Sequence, residues 1–158
     1  MKKIFSLLIL LFFTTTCFAY EFGNLEINNL SKYALNYRTA TIDKIVWKSA
    51  LPDTIESSSE STIPLTLDTF KPDVSSLYVV YNVKCPHNQT TQVSLIINIY
   101  EHKTFFDLID QYPYMKMRIT VPDDSCVLVS STSGNGSRNA YTDLEKNGTA
   151  HFYILNAY

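Results

Sequence analysis

The sequence predicts an all-β protein: an antiparallel β-sandwich of about nine or ten short strands with one disulfide. Three observations point there. Apolar residues alternate with period two through most of the chain, no segment carries a long helical periodicity, and two cysteines sit at the ends of apolar runs.

The central runs are the clearest. In SSLYVVYNVKC, from Ser75, alternation places Leu77, Val79, Tyr81, Val83 and Cys85 on one face. In QVSLIINIYE it groups Val93, Leu95, Ile97 and Ile99. Both runs also carry apolar residues on the opposite face, which predicts strands covered on both sides. MKMRITV, residues 115–121, alternates cleanly: Met115, Met117, Ile119 and Val121 point inward, and Lys116, Arg118 and Thr120 outward. CVLVS at 126–130 follows a PDDS turn.

Shorter strands flank these. NLEIN at 24–28 and YALNYR at 33–38 are separated by a polar turn around Asn29 and Ser31, and KIVW at 44–47 and TIPLTL at 62–67 bracket the loop SALPDTIESSSES. Near the end, YTDLE and TAHFYIL are joined by Lys146-Asn147-Gly148. Asn-Gly between alternating runs predicts a hairpin, because both residues tolerate positive φ. TFFDLIDQY, 104–112, is the one segment with the pattern of a helical turn.

The start of the chain predicts export. Lys2 and Lys3 precede the apolar stretch Ile4–Phe13, and Cys17-Phe18-Ala19 supplies small residues for signal peptidase. About ten apolar residues fall short of the ~20 that cross a bilayer. A lipid-anchored Cys17 is the rival reading, but Thr14, Thr15 and Thr16 lack the leucine of a lipobox. Cleavage after Ala19 leaves 139 residues, 20–158, with 11 basic and 15 acidic side chains. One domain with its own core is expected at that length, in the periplasm or outside the cell. The mild acidity argues against nucleic acid as a partner, since phosphate neutralisation needs clustered Lys and Arg.

CPHNQTT, residues 85–91, is the most chemically suggestive stretch. Cys85 and His87 could begin a metal site, completed by Cys126, His102 or His151. Structural zinc usually shows paired close spacings, however, and here the other candidates are scattered singly. In an oxidising compartment, Cys85 and Cys126 are better read as a disulfide pinning two layers. No metal and no cofactor is expected.

Asp107 with Asp110, and Asp123 with Asp124, could pair as acid and base in glycoside hydrolysis. Asp123 and Asp124 follow Pro122, where Asp is favoured as a turn former. The G-N-G of SSTSGNGSRN, 130–139, could approach a phosphate, but no helix follows to present its amino end, so a hairpin loop is expected. No serine stands in a nucleophile elbow. No catalytic residue is assigned. Asn29, Asn88, Asn135 and Asn147 head Asn-x-Ser/Thr triplets, little above chance frequency.

Aromatic density is the feature with a functional reading. Phe105, Phe106, Tyr112 and Tyr114 crowd one connection, with Lys116 and Arg118 nearby. Such a group is either a small core beneath a loop or an exposed platform for a membrane surface, a glycan or a partner protein. The expectation is a non-enzymatic binding module using this segment. The alternative is a structural subunit of the cell envelope that pairs through a sheet edge.

Two resemblances bear on this. NLEINNLSKYALNY, followed by Trp47 and LPDTIESSSES, resembles aegerolysin- and actinoporin-type proteins over about the first third of the mature chain. Those are small all-β sandwiches that meet membrane surfaces, so the resemblance implies the same fold and lipid contact. Trp47 is the only tryptophan, so the later tryptophan-rich signature of aegerolysins is absent and no functional residue carries over. The end NGTAHFYILNAY is similar to the last strand of fimbrial subunits, which implies assembly by strand pairing.

Overall fold

The computed structural model describes residues 20–70, 75–101, 113–145 and 147–157. The signal-like segment and the 104–112 helical expectation, with Phe105, Phe106 and Tyr112, lie outside the described residues. Among the latter the chain forms Tyr20–Asn29 (β1), Leu35–Asp43 (β2), Ile45–Trp47 (β3), Thr54–Ile55 (β4), Ser59–Phe70 (β5), Ser75–Lys84 (β6), Thr90–Glu101 (β7), Pro113–Thr120 (β8), Val127–Ser130 (β9), Asn139–Leu144 (β10) and Gly148–Asn156 (β11). Two packed sheets result, ordered β3-β5-β1-β11-β9 and β10-β8-β7-β6-β2-β4.

The alternation read from the sequence is what fills the space between them. Leu77, Val79, Tyr81 and Val83 of β6 meet Val93, Leu95, Ile97 and Ile99 of β7 and Met115, Met117 and Ile119 of β8 in one buried layer. Phe22, Leu25 and Ile27 of β1, with Ile63, Leu65 and Leu67 of β5 and Phe152 and Ile154 of β11, supply the facing layer. Burial of such side chains stabilises by roughly 1.5–3 kcal/mol each before entropy is counted.

The strand count agrees with the nine or ten expected to within one. Four details differ from expectation. First, several strands are long rather than short: β5 and β7 each have 12 residues. Second, β1 and β11 are parallel, with Gly23 opposite Gly148 and Asn29 opposite Ile154; every other pairing is antiparallel. Third, Asn147-Gly148 makes no hairpin. Asn147 does adopt a positive φ of 62°, but β10 pairs with β8 in one sheet and β11 with β1 and β9 in the other, so the turn carries the chain between layers. The loop after β9 does likewise; its local pairing is the bridge between Val129 and Ser137. Fourth, Ile55, read as loop, is a core residue on β4, 1% exposed.

The crossing from β1 to β2 is a polar corner, but a buried one. The Asn29 amide donates to the carbonyls of Tyr33 (2.8 Å), Ile55 (3.2 Å) and Glu56 (2.8 Å). Its oxygen accepts from Ser31 N–H (3.2 Å) and Ser31 Oγ (2.7 Å). Asn29 and Ser31 are fully enclosed, so this amide satisfies backbone groups of two loops at once.

Cys85 directly follows β6 and Cys126 directly precedes β9, which lie in opposite sheets. They form a disulfide with Cα atoms 5.8 Å apart, linking the two layers as expected. The bridge closes a separation of 41 residues, worth about 3–4 kcal/mol by chain entropy.

Two outcomes follow. Cys85→Ser with Cys126→Ser should lower unfolding free energy by about 3–4 kcal/mol in urea titration, and tryptic peptides containing the two cysteines should run joined without reductant. Gly23 has φ +141°, and a Cβ there would stand 2.1 Å from the Gly148 carbonyl oxygen. Gly23→Ala should therefore cost at least ~2 kcal/mol in the same titration.

Candidate functional site

Because β6, β7 and β8 turn their odd-numbered residues into the core, the even-numbered ones form the outer face of the six-stranded sheet. Antiparallel register then brings side chains from distant parts of the sequence side by side. Tyr141 of β10 stands opposite Arg118 of β8, Arg118 opposite Ile96 of β7, and Ile96 opposite Tyr78 of β6. In the next row outward, Asp143, Lys116, Asn98 and Ser76 align in the same strand order. Tyr100 opposes Tyr114 beyond them.

The Tyr100 and Tyr114 rings stack with centroids 5.6 Å apart and an interplanar angle of 26°. The Lys116 ammonium lies 5.4 Å from the Tyr100 centroid and 5.8 Å from that of Tyr114. Such a cation over aromatic faces contributes ~0.5–1 kcal/mol at an exposed site, which is enough to orient Lys116 above the rings. Asp143 is its register neighbour, yet neither Lys116 nor Arg118 forms an ion pair among the described residues. Tyr141 is 61% exposed and Tyr78 38%. The Tyr78 hydroxyl is hydrogen-bonded to Ser94 Oγ at 3.0 Å. Ile96, Asn98, Tyr100, Lys116, Arg118 and Tyr141 border a shallow depression of about 320 Å³.

The expectation that β6 and β7 are covered on both faces holds only in part. Val80 of β6 is 4% exposed on the outer side, whereas Ile96, Asn98 and Tyr100 are half-buried, Tyr78 is exposed, and among the described residues no third layer crosses there. Of the six residues expected to bind a surface, Tyr114, Lys116 and Arg118 share this outer face, while Phe105, Phe106 and Tyr112 lie outside the described residues. Sequence reasoning missed Tyr78, Tyr100 and Tyr141. The signal was present in the alternation of QVSLIINIYE, which sets Ile96, Asn98 and Tyr100 on one side; pairing with β8 and β10 was not legible.

The other candidates resolve into structural roles. Pro86–Asn88 form a single 3-10 turn between β6 and β7, closed by Cys85 N–H donating to Gln89 O at 2.8 Å. His87 and Asn88 both have positive φ and are exposed. Among the described residues no three His, Cys, Asp or Glu side chains gather in a metal-binding group, and His151 instead pairs with Glu26 across β11 and β1 at 3.0 Å. Asp123 and Asp124 occupy a turn closed by Ser125 N–H to Pro122 O at 3.1 Å; Asp124 accepts from Gln89 Nε2 at 3.2 Å. Asp107, Asp110 and His102 lie outside the described residues. The G-N-G loop is tied down by Arg138, whose Nη1 donates to Ser125 O (3.0 Å) and Val127 O (3.1 Å). Of the four Asn-x-Ser/Thr asparagines, Asn29 is sealed in the corner described above and the other three are exposed.

Among the described residues, Tyr81 is the one group whose ionisation is clearly displaced. Its hydroxyl is buried with no hydrogen-bond partner. Burial pushes its ionisation well above the ordinary tyrosine value, helped by the nearby Tyr37 and Asp53.

Comparison with models of protein families, with curated protein sequences and with solved structures finds no match to the chain.

Tyr81 yields a pH prediction. Because the folded state holds the neutral phenol more tightly than the unfolded chain, the contribution of Tyr81 to stability is constant below pH ~10 and falls as pH rises above it. Tyr81→Phe should be neutral or stabilising at pH 7, since it deletes a buried hydroxyl that has no partner. It should also flatten the loss of urea midpoint between about pH 10 and 11. An alkaline slope identical to wild type would refute this assignment.

Proposed function

We propose that the protein is an exported, non-enzymatic binding module that holds its partner on the outer face of the six-stranded sheet. The observation that carries this is the stacked Tyr100–Tyr114 pair beneath Lys116, beside Arg118 and the exposed Tyr141. Stacked aromatics on an open face add little to a core that is already closed on the other side of the sheet. They do offer flat apolar area with polar tips, and Tyr and Arg are the residue types that dominate recognition surfaces. The disulfide between the two layers suits an oxidising compartment, in line with export.

An envelope subunit assembling by strand pairing is the alternative. The fimbrial-like last strand, β11, lies inside its sheet between β1 and β9. The terminal strands β3, β9, β10 and β4 have only 3, 4, 6 and 2 residues. But β4 pairs with no more than Leu35 and Asn36 of β2, so residues 37–43 keep an outer edge with no strand partner among the described residues. An edge of that length can template pairing; the face is preferred because it gathers aromatic and cationic side chains.

The test is a double variant, Lys116→Met with Tyr141→Ala. Both positions are exposed, so stability should change by less than ~1 kcal/mol. Binding to whichever of a panel of glycans, lipid vesicles and envelope proteins the wild type captures should fall at least tenfold. Retained capture would move the site elsewhere, and turnover by wild type in a glycosidase and esterase panel would overturn the non-enzymatic reading.

A further inference from the structure

We infer that the ligand of this face is an acidic polysaccharide lying across the strands, a deepening that rests on the binding role proposed above. Three features of the surface select that chemistry. The first is charge. The whole chain carries a net charge of −2, yet the middle of this face presents two cations, Lys116 and Arg118, adjacent along the outward side of β8 and without ion-pair partners among the described residues. Asp143 and Asp43 stand at the two ends of the Lys116 row, and Lys84 lies at the far end of β6. The two central cations complement sparse negative charge. A nucleic acid brings a phosphate at every nucleotide and calls for a longer basic track than two side chains beside Asp143.

The second feature is the kind of apolar surface. Among the described residues, the exposed large rings here, Tyr78 and Tyr141, are phenols, and the exposed aliphatics Leu30 and Ile42 lie off this face. A bilayer interior rewards aliphatic side chains that can leave water; tyrosines fixed to a flat sheet reach no deeper than the headgroups. A pyranose ring presents an apolar C–H face and a polar rim, which is the complement of a tyrosine ring bordered by amides.

The third is the density of neutral hydrogen-bonding groups. Asn98 lies between Lys116 and Ser76 in one row. Ser94 faces Thr120, and Thr120 faces Asn139, in another. Amides and hydroxyls both donate and accept, as sugar hydroxyls do. The row Tyr141–Arg118–Ile96–Tyr78 spans three inter-strand spacings, roughly 14 Å at ~4.8 Å each. That length exceeds one sugar ring and suits a chain, with an Arg able to clamp a carboxylate between the two end tyrosines.

The probes are carboxymethyl dextran, polygalacturonate, uncharged dextran, and vesicles of phosphatidylglycerol with phosphatidylcholine, tested against the full mature chain by affinity electrophoresis and co-sedimentation. Both acidic polymers should bind, dextran at least tenfold more weakly, and sodium chloride should release the complex. Lys116→Met with Arg118→Met should reduce binding at least tenfold at unchanged melting temperature. Tyr141→Ala should do so without altering the salt dependence, and Arg118→Lys should keep part of the affinity. Equal binding of dextran, or no binding to either acidic polymer, overturns the ligand class. Vesicle capture lost in the same variants also overturns it while leaving the face as the binding surface; acidic-polymer binding indifferent to every substitution overturns both.

Discussion

The structure depends on alternation of side chains across two sheets that share one apolar interior, interrupted by bulges at Gly23 of β1 and after Tyr37 of β2. Each strand of the six-stranded sheet that contributes to the core does so through every second residue, and the same phase sends the intervening residues outward. A slip of one position in β7 would exchange Val93, Leu95, Ile97 and Ile99 for Gln92, Ser94, Ile96 and Asn98. Polar groups would enter the interior and the outer tyrosines would lose their partners together. Core and candidate site are therefore two readings of one register: the apolar phase fixes which face Tyr100, Lys116 and Arg118 occupy.

Much of this was legible in the chain itself because alternation is a local property. The inward phases of β6, β7 and β8 and the turn role of Asp123 and Asp124 follow from residues close together in sequence. The pairing of Cys85 with Cys126, 41 residues apart, follows from their being the two cysteines outside the signal-like segment. What escaped was non-local. Asn147-Gly148 has the chemistry of a hairpin turn and takes the backbone conformation that chemistry allows, but the partner of each flanking strand is decided by packing elsewhere. Asn29 and Ser31 look like an ordinary surface turn; only the arrival of Ile55 and Glu56 converts them into a buried clamp. Likewise Tyr141 joins Arg118 only through the pairing of β10 with β8, separated from it by the disulfide-linked β9.

The candidate site is also positioned by what lies beneath it. Strand β8 sits between β7 and β10, so its backbone is held on both sides, and Met115, Met117 and Ile119 anchor it to the core. Lys116 and Arg118 thus project from a rigid strand rather than a loop. A surface built this way loses little conformational freedom at the backbone when it meets a partner. The cost that remains is in the long side chains, and for Lys116 part of that is met in advance by the rings under it.

Pairing of β1 with β11 has a consequence for how the molecule comes into being. A ribosome delivers Tyr20–Asn29 early and Gly148–Asn156 late, yet the two are immediate neighbours in parallel register. Until the final strand emerges, β1 has its β5 side filled and the other side bare, and the five-stranded layer stays split between β1 and β9. Closing that layer joins residues far apart in sequence, so it is slow for a domain of this size. A nascent chain of this kind remains open long enough to be handled by whatever machinery meets it first.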